Sequence, residues 1–294
     1  MASRITILDG AMGTELRARG ASVPDYKTSA WSALALVHDP DTVRQVHADY
    51  IAAGADVVTA NNYAVVPKLL ARVGMEDRVE ELTRLACRLA IEARAASGRR
   101  DVLVAGSLPP LDTTYEADLV APEQELYETY LRLARVLAKD VDLVMAETLT
   151  TVREAVAAAR AAADCGLRIR VSWNLGLDEP RLRGGETLEQ AIAALEPLPV
   201  DGYQVNCVPT GLVQPALERM RRCTSRSLGA YANSCEKAPD QGALDACHAQ
   251  ILTPEQYVAA SERWVDAGAT WIGGCCDTTP AYIAALSRRW SANR

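Results

Sequence analysis

Apolar residues along the chain fall into two alternating rhythms. Short runs rich in aliphatic and β-branched residues include RITILDG (4–10), ADVVTAN (55–61), DVLVAGS (101–107) and VDLVMAET (141–148). They continue with RIRVSWN (168–174), VDGYQVNC (200–207), SLGAYAN (227–233) and ATWIGGCC (269–276). Each has the length and composition of a buried strand. Between them lie longer segments with apolar positions three and four apart. The clearest is 76–98, where Val79, Leu82, Leu85, Ala86, Leu89 and Ala93 share one helical face. Helix signals agree with this reading. Gly54 closes a helix over 40–54, Thr187 and Gln190 can form a capping box, and Thr253-Pro254 opens a helix over 253–268.

This pattern makes eight strand–helix units in 294 residues, with no composition break that marks a linker. A single-domain α/β fold over 1–294, closed as a (β/α)8 or TIM barrel, is expected. A doubly wound open sheet is the alternative. Its Gly-rich phosphate turn is absent after the first strand, where the chain reads DGAMGTEL.

Composition narrows the function. The hydrophobic fraction is 49% and the formal net charge −7, with no Phe. Leu, Val, Ile and Ala must fill the core. The acidic balance and the lack of a basic run exclude a typical nucleic-acid surface. No apolar stretch approaches the ~18 residues of a membrane span, and the N-terminus lacks a signal-peptide pattern. The expected location is the cytoplasm, with no membrane partner. The sequence does not decide between a monomer and a homo-oligomer.

Polar and reactive residues gather at the strand ends: Asp9, Asn61, Asn62, Ser107, Glu147, Trp173, Asn174, Asn206, Cys207, Tyr231, Asn233, Cys275 and Cys276. In a barrel these ends ring one mouth, where active sites form. Of eight cysteines, three stand there, and in a reducing compartment disulfides are not expected. Adjacent strand residues point to opposite faces, so Cys275 and Cys276 need a departure from the pleat to serve one site. Gly273 and Gly274 permit a turn and a close backbone approach. Cys207 would arrive across the mouth. Three thiolates with one open position suit a catalytic Zn2+. Cys87, Cys165 and Cys223 read as packing residues, and His38 and His47 as structural. Residues 233–252, with Cys235, Cys247 and His248, read as a long loop over the mouth, where Cys235 has the option of approaching the metal. Trp173, Tyr231, Tyr63 and Tyr115 are candidates to pack against a cationic substrate.

Four motifs together, ITILDGAMGTELRARG, DLVMAET, VNC and GGCC, resemble the homocysteine S-methyltransferase family, in order and over nearly the whole chain. The resemblance implies a zinc-bearing barrel that methylates the thiol of homocysteine to give methionine, with Cys207, Cys275 and Cys276 as zinc ligands. It further implies that Asp9 and Glu147 anchor the homocysteine ammonium, and that Gly10 and Ala11 offer backbone donors to its carboxylate. No catalytic acid or base beyond the metal-activated thiol is implied. The second partner is a small methylated onium donor. S-methylmethionine is favoured, with S-adenosylmethionine, betaine and dimethylsulfoniopropionate as alternatives, and a different thiol acceptor stays open. Two segments depart from many S-methylmethionine-type members: GSLPPLDTTY (106–115), and YANSCEKAP (231–239), where Ala232 and Cys235 replace Pro and Gly. Two readings from other classes remain. A zinc hydrolase would want His or carboxylate ligands and a general base, and a non-catalytic zinc- or thiol-binding protein would bind metal without turnover.

Overall fold

A computed structural model describes residues 4–177, 179–236 and 251–290. Eight parallel strands run in the order β1-β8-β7-β6-β5-β4-β3-β2. They are β1 (Thr6–Ile7), β2 (Val57–Thr59), β3 (Leu103–Leu108), β4 (Leu143–Leu149), β5 (Ile169–Trp173), β6 (Val200–Asn206), β7 (Ser227–Ala232) and β8 (Ala269–Gly274). The sheet closes on itself between β1 and β2. Leu8 bridges Val57 in parallel, and the Asp9 N–H donates to Val57 O at 3.1 Å. Asp56 reinforces this seam by accepting the Ile7 N–H at 2.9 Å. The molecule is therefore a (β/α)8 barrel, as the eight alternating units predict.

Helices surround the strands: α1 (Met12–Ala18), α2 (Ala33–His38), α3 (Pro40–Ala53), α4 (Pro67–Ala71), α5 (Val79–Ser97), α6 (Glu123–Leu137), α7 (Val152–Asp164), α8 (Leu188–Leu195), α9 (Thr210–Cys223), α10 (Pro254–Asp266) and α11 (Pro280–Trp290). The expected boundaries hold where a physical stop signal exists. Gly54 caps α3 in the left-handed region at φ 103°. Capping boxes open α7 (Thr151 and Glu154), α8 (Thr187 and Gln190) and α10 (Thr253 and Gln256).

The larger core lies between strands and helices. In α7 six alanines are buried, from Ala155 to Ala162, so this helix packs through small side chains rather than large ones. A smaller core fills the barrel itself and includes Leu8, Val57, Leu143, Met145 and Tyr231. Arg170 is buried beside it, its guanidinium 4.1 Å from the centre of the Trp271 ring and bonded to Gln204 and Ser227. Among the described residues, no helix is long and apolar enough to cross a membrane.

Candidate metal centre and substrate cavity

The C-terminal ends of the strands enclose a cavity. Asp9, Asn61, Glu147, Asn206, Cys207, Tyr231, Cys275 and Cys276 all line it. The sulfurs of Cys207, Cys275 and Cys276 lie within 4.8 Å of one another. Cys207 ends β6 in the left-handed region at φ 52°, which takes its side chain out of the strand pleat. Asn174 holds that turn by donating from Nδ2 to Cys207 O at 2.7 Å, and Arg183 donates from Nε to Asn174 Oδ1.

Cys275 and Cys276 follow β8. The two preceding glycines are required by close approach, and they are not the turn itself. Both remain in the strand, and neither has a positive φ. A Cβ on Gly273 would meet Leu8 Cβ at 2.4 Å, and one on Gly274 would meet Thr278 Oγ1 at 2.2 Å. The turn comes after them, with Asp277 left-handed at φ 61°. It is fixed from three sides. Cys275 N–H donates to Ala232 O at 2.8 Å, Cys276 N–H to Asn233 Oδ1 at 3.1 Å, and Thr278 Oγ1 to Cys275 O at 2.6 Å. Tyr257 OH ties the β7 and β8 ends together through Ala232 O and Gly273 O, both at 2.8 Å.

Three thiols this close have two chemical options. The structure joins Cys207 and Cys275 as a disulfide, with Cα atoms 5.5 Å apart, and leaves Cys276 as a thiol. The cause is proximity: the strand-end turns bring sulfurs from two non-neighbouring strands together. The donor set also fits a metal. Tetrahedral thiolates about 2.3 Å from zinc put their sulfurs about 3.8 Å apart, and Cys207 Sγ lies 3.8 Å from Cys276 Sγ. No His or carboxylate joins this cluster among the described residues, and neither does Cys235. His47 is buried on α3 and burial pushes its pKa down to about 4. Cys247 and His248 lie outside the described residues.

Two carboxylates line the same cavity as the sulfurs. Asp9 Oδ2 accepts the Thr59 N–H at 2.8 Å, and Glu147 Oε2 accepts the Tyr231 hydroxyl at 3.2 Å. Neither has an ion-pair partner among the described residues. Burial, with the charge of Glu147 adding to it, pushes Asp9 up to about 8. Burial also raises Glu147, against the hydroxyls of Ser107 and Tyr231. Two buried acids without a cation are costly to ionise, and a cationic ligand group would relieve both. Of the two backbone donors after Asp9, the Ala11 N–H is already engaged by Thr278 O at 3.2 Å and Oγ1 at 3.3 Å. A ligand would compete with Thr278 for the Ala11 N–H, and Gly10 and Ala11 both line the cavity.

Aromatic rings form the outer wall. Tyr63, Tyr115 and Tyr231 line the cavity as expected. Trp173 does not. It is fully buried outside the barrel and stacks on Tyr203 at 5.6 Å. Its neighbour Ser172 takes the inward position, bonding Asn206 Oδ1 at 2.7 Å. The wall instead gains Tyr26 and Trp31, from the segment between α1 and α2, which the sequence pattern does not place. Trp31 and Tyr63 meet edge to face at 5.9 Å. Left-handed backbone concentrates at this mouth. Trp31, Tyr115, Thr148, Cys207 and Asp277 are the non-glycine residues with positive φ among those described. Four of them line the cavity, and Asp277 follows Cys276. Such conformations cost about 1–3 kcal/mol each and persist where the surroundings impose them.

Residues 6–290 match the family model for homocysteine S-methyltransferase. The chain belongs to the homocysteine S-methyltransferase family. A homocysteine S-methyltransferase of Escherichia coli (strain K12) is 33% identical, across 97% of this chain and 95% of that one. Homocysteine S-methyltransferase 1 of Zea mays is 31% identical, across 96% of this chain and 93% of that one. The crystal structure of the homocysteine methyltransferase MmuM from Escherichia coli in its metallated form superimposes with a TM-score of 0.80 at 31% identity. It covers 97% of this chain and 96% of its own. The protein is thus a thiol methyltransferase, and its sulfur cluster sits in a fold that carries metal in that relative.

The fit of Gly273 against Leu8 leads to a test. Gly273→Ala should lower stability by about 1–3 kcal/mol through overpacking and impair the cysteine cluster, read by chemical denaturation and by metal retention. An unchanged unfolding midpoint with full metal retention would show that the close approach is not needed.

Proposed function

We propose that the protein transfers a methyl group from a small sulfonium donor, S-methylmethionine, to the thiol of homocysteine, with Zn2+ held by Cys207, Cys275 and Cys276. The observation that carries this reading is the pairing, in one cavity, of three converging sulfurs with two buried carboxylates that have no cation partner among the described residues. A thiol bearing an ammonium group complements both halves. A bound Zn2+ would favour the acceptor's thiolate at neutral pH and hold its sulfur at the cluster.

The chain's own residues do the rest. Asp9 and Glu147 bind the ammonium and set the acceptor's direction. The Gly10 N–H faces the acceptor's carboxylate. Asn174 and Asn233 hold the backbone at Cys207 and Cys276, so the three sulfurs need little rearrangement to act together. Trp31, Tyr63 and Tyr115 shield the reacting sulfurs from water and favour a positively charged donor. The new S–CH3 bond forms at the acceptor as the donor's C–S bond breaks, and the donor leaves as a neutral thioether. No proton moves in this step, so it needs no catalytic acid or base.

A hydrolase is disfavoured by the donor set, because an all-sulfur cluster lacks the His or carboxylate ligands expected around a hydrolytic metal-bound water. The family's activity disfavours simple metal storage.

Two experiments test the reading. The reduced, zinc-loaded protein should form methionine from homocysteine and S-methylmethionine, and Cys276→Ala should lose both zinc and turnover. No product from S-methylmethionine, S-adenosylmethionine, betaine or dimethylsulfoniopropionate would refute it. The second concerns pH. In the free site Asp9, raised to about 8, holds a proton below that pH. Binding an ammonium favours its carboxylate and releases the proton, so homocysteine affinity rises as pH climbs towards 8 and levels off above it. From pH 6.5 to 8 the wild type should gain on the order of tenfold more affinity than Asp9→Asn. Equal slopes in the two proteins would remove Asp9 from the ammonium site.

A further inference from the structure

The charges around the cavity are unevenly placed. Asp9 and Glu147 are buried in it beside the sulfurs, while Arg17, the one Lys or Arg among the described residues that lines it, is exposed. Its position follows from local packing. Gly13 and Arg17 are four residues apart on α1 and share a face. The Trp31 ring packs against Gly13, where a Cβ would meet Trp31 Cζ2 at 2.3 Å. Arg17 therefore stands one turn beyond Trp31 on the same side.

Its hydrogen bonding is also incomplete in a directed way. Nε donates to Val23 O at 3.0 Å, which fixes the side chain. The two Nη groups make no hydrogen bond or ion pair among the described residues. Other arginines nearby are occupied. Arg19 pairs with Glu15 and Asp49 at 2.7 and 2.6 Å, and Arg72 donates to Tyr26 O and Thr113 Oγ1 at 2.6 and 2.8 Å. A guanidinium held at Nε with both Nη groups unspent, in a cavity also lined by Trp31, Tyr63 and Tyr115, matches an onium bearing a carboxylate.

Resting on the reading above, we propose that Arg17 is the specificity residue for the methyl donor and binds a carboxylate at the donor's far end. The substrate class is then an onium carboxylate and excludes simple alkyl onium ions. The electrostatics require this orientation. A donor carboxylate turned inwards would meet Asp9, Glu147 and the sulfurs, all anionic or acidic. Turned outwards, it meets Arg17, while the onium centre stays between the aromatic wall and the acceptor sulfur. The Arg17 fork can take such a carboxylate through two N–H groups.

The experiment compares S-methylmethionine with its α-carboxamide, in which the onium is kept and the carboxylate charge removed. Binding to the reduced, zinc-loaded protein is measured by calorimetry and turnover by methionine formation. The wild type should prefer the carboxylate form by about 10- to 100-fold, the range of a hydrogen bond to a charged group. In Arg17→Gln that preference should collapse towards unity, with the homocysteine KM unchanged, and Arg17→Lys should restore part of it. An unaltered preference in Arg17→Gln overturns the proposal, as does a wild type that treats the two donors alike. A raised homocysteine KM with normal donor binding would assign Arg17 to the acceptor instead. A wild type that binds neither sulfonium overturns the donor reading of the whole cavity, and that outcome is distinct from loss confined to Arg17→Gln.

Discussion

The site depends on how closely β8 lies against β1. Gly273 is pressed so near Leu8 and the Asp9 carbonyl that no side chain fits between them. Gly274 N–H donates to Asp9 O at 3.0 Å, which makes the same contact a hydrogen-bonded one. One packing constraint therefore positions both halves of the chemistry. It sets where Cys275 and Cys276 emerge, and it fixes the strand end that carries Asp9. Cys275, Cys276 and the acid that line one cavity are anchored on one seam of the barrel.

Around that seam the structure accepts arrangements that an ordinary core avoids. Two buried carboxylates stand without a cation among the described residues, and left-handed backbone gathers at the mouth. Each is destabilising alone. They are held by bonds from behind: Asn174 on Cys207, Asn233 on Cys276, Tyr257 across two strand ends. Glu154 acts similarly after Glu147, accepting the N–H groups of Thr150 and Thr151 at 2.9 and 3.0 Å. Binding and chemistry take place on a surface already set in position, so less ordering is left for the substrates to drive.

Much of this was legible in the sequence, for identifiable reasons. The eight strand–helix units carry strong periodicity and explicit caps, and the barrel follows from their number and order. The convergence of Cys207, Cys275 and Cys276 follows from their strand-end positions. Side-chain parity was less legible. Trp173 and Ser172 are neighbours, and a strand end alone does not say which one faces inwards. Bond competition was hidden as well: nothing local in DGAMG shows that Thr278, 267 residues further on, takes the Ala11 N–H. Trp31 and Tyr26 were missed because the segment between α1 and α2 has no period from which to infer that it folds over the mouth, and Arg17 because α1 alone does not show which of its faces meets that segment. A Trp in a polar stretch and a glycine within α1 were the available signals. They gain meaning only when Gly13 and Trp31 are seen in contact.

The central claim is that the three cysteines hold zinc with one position open to the acceptor sulfur. Zinc-edge X-ray absorption on the reduced protein, with and without homocysteine, tests it directly. The account predicts three protein sulfurs about 2.3 Å from zinc, and a fourth sulfur in the shell after homocysteine is added. A shell dominated by nitrogen or oxygen, or a sulfur count that homocysteine leaves unchanged, would contradict it.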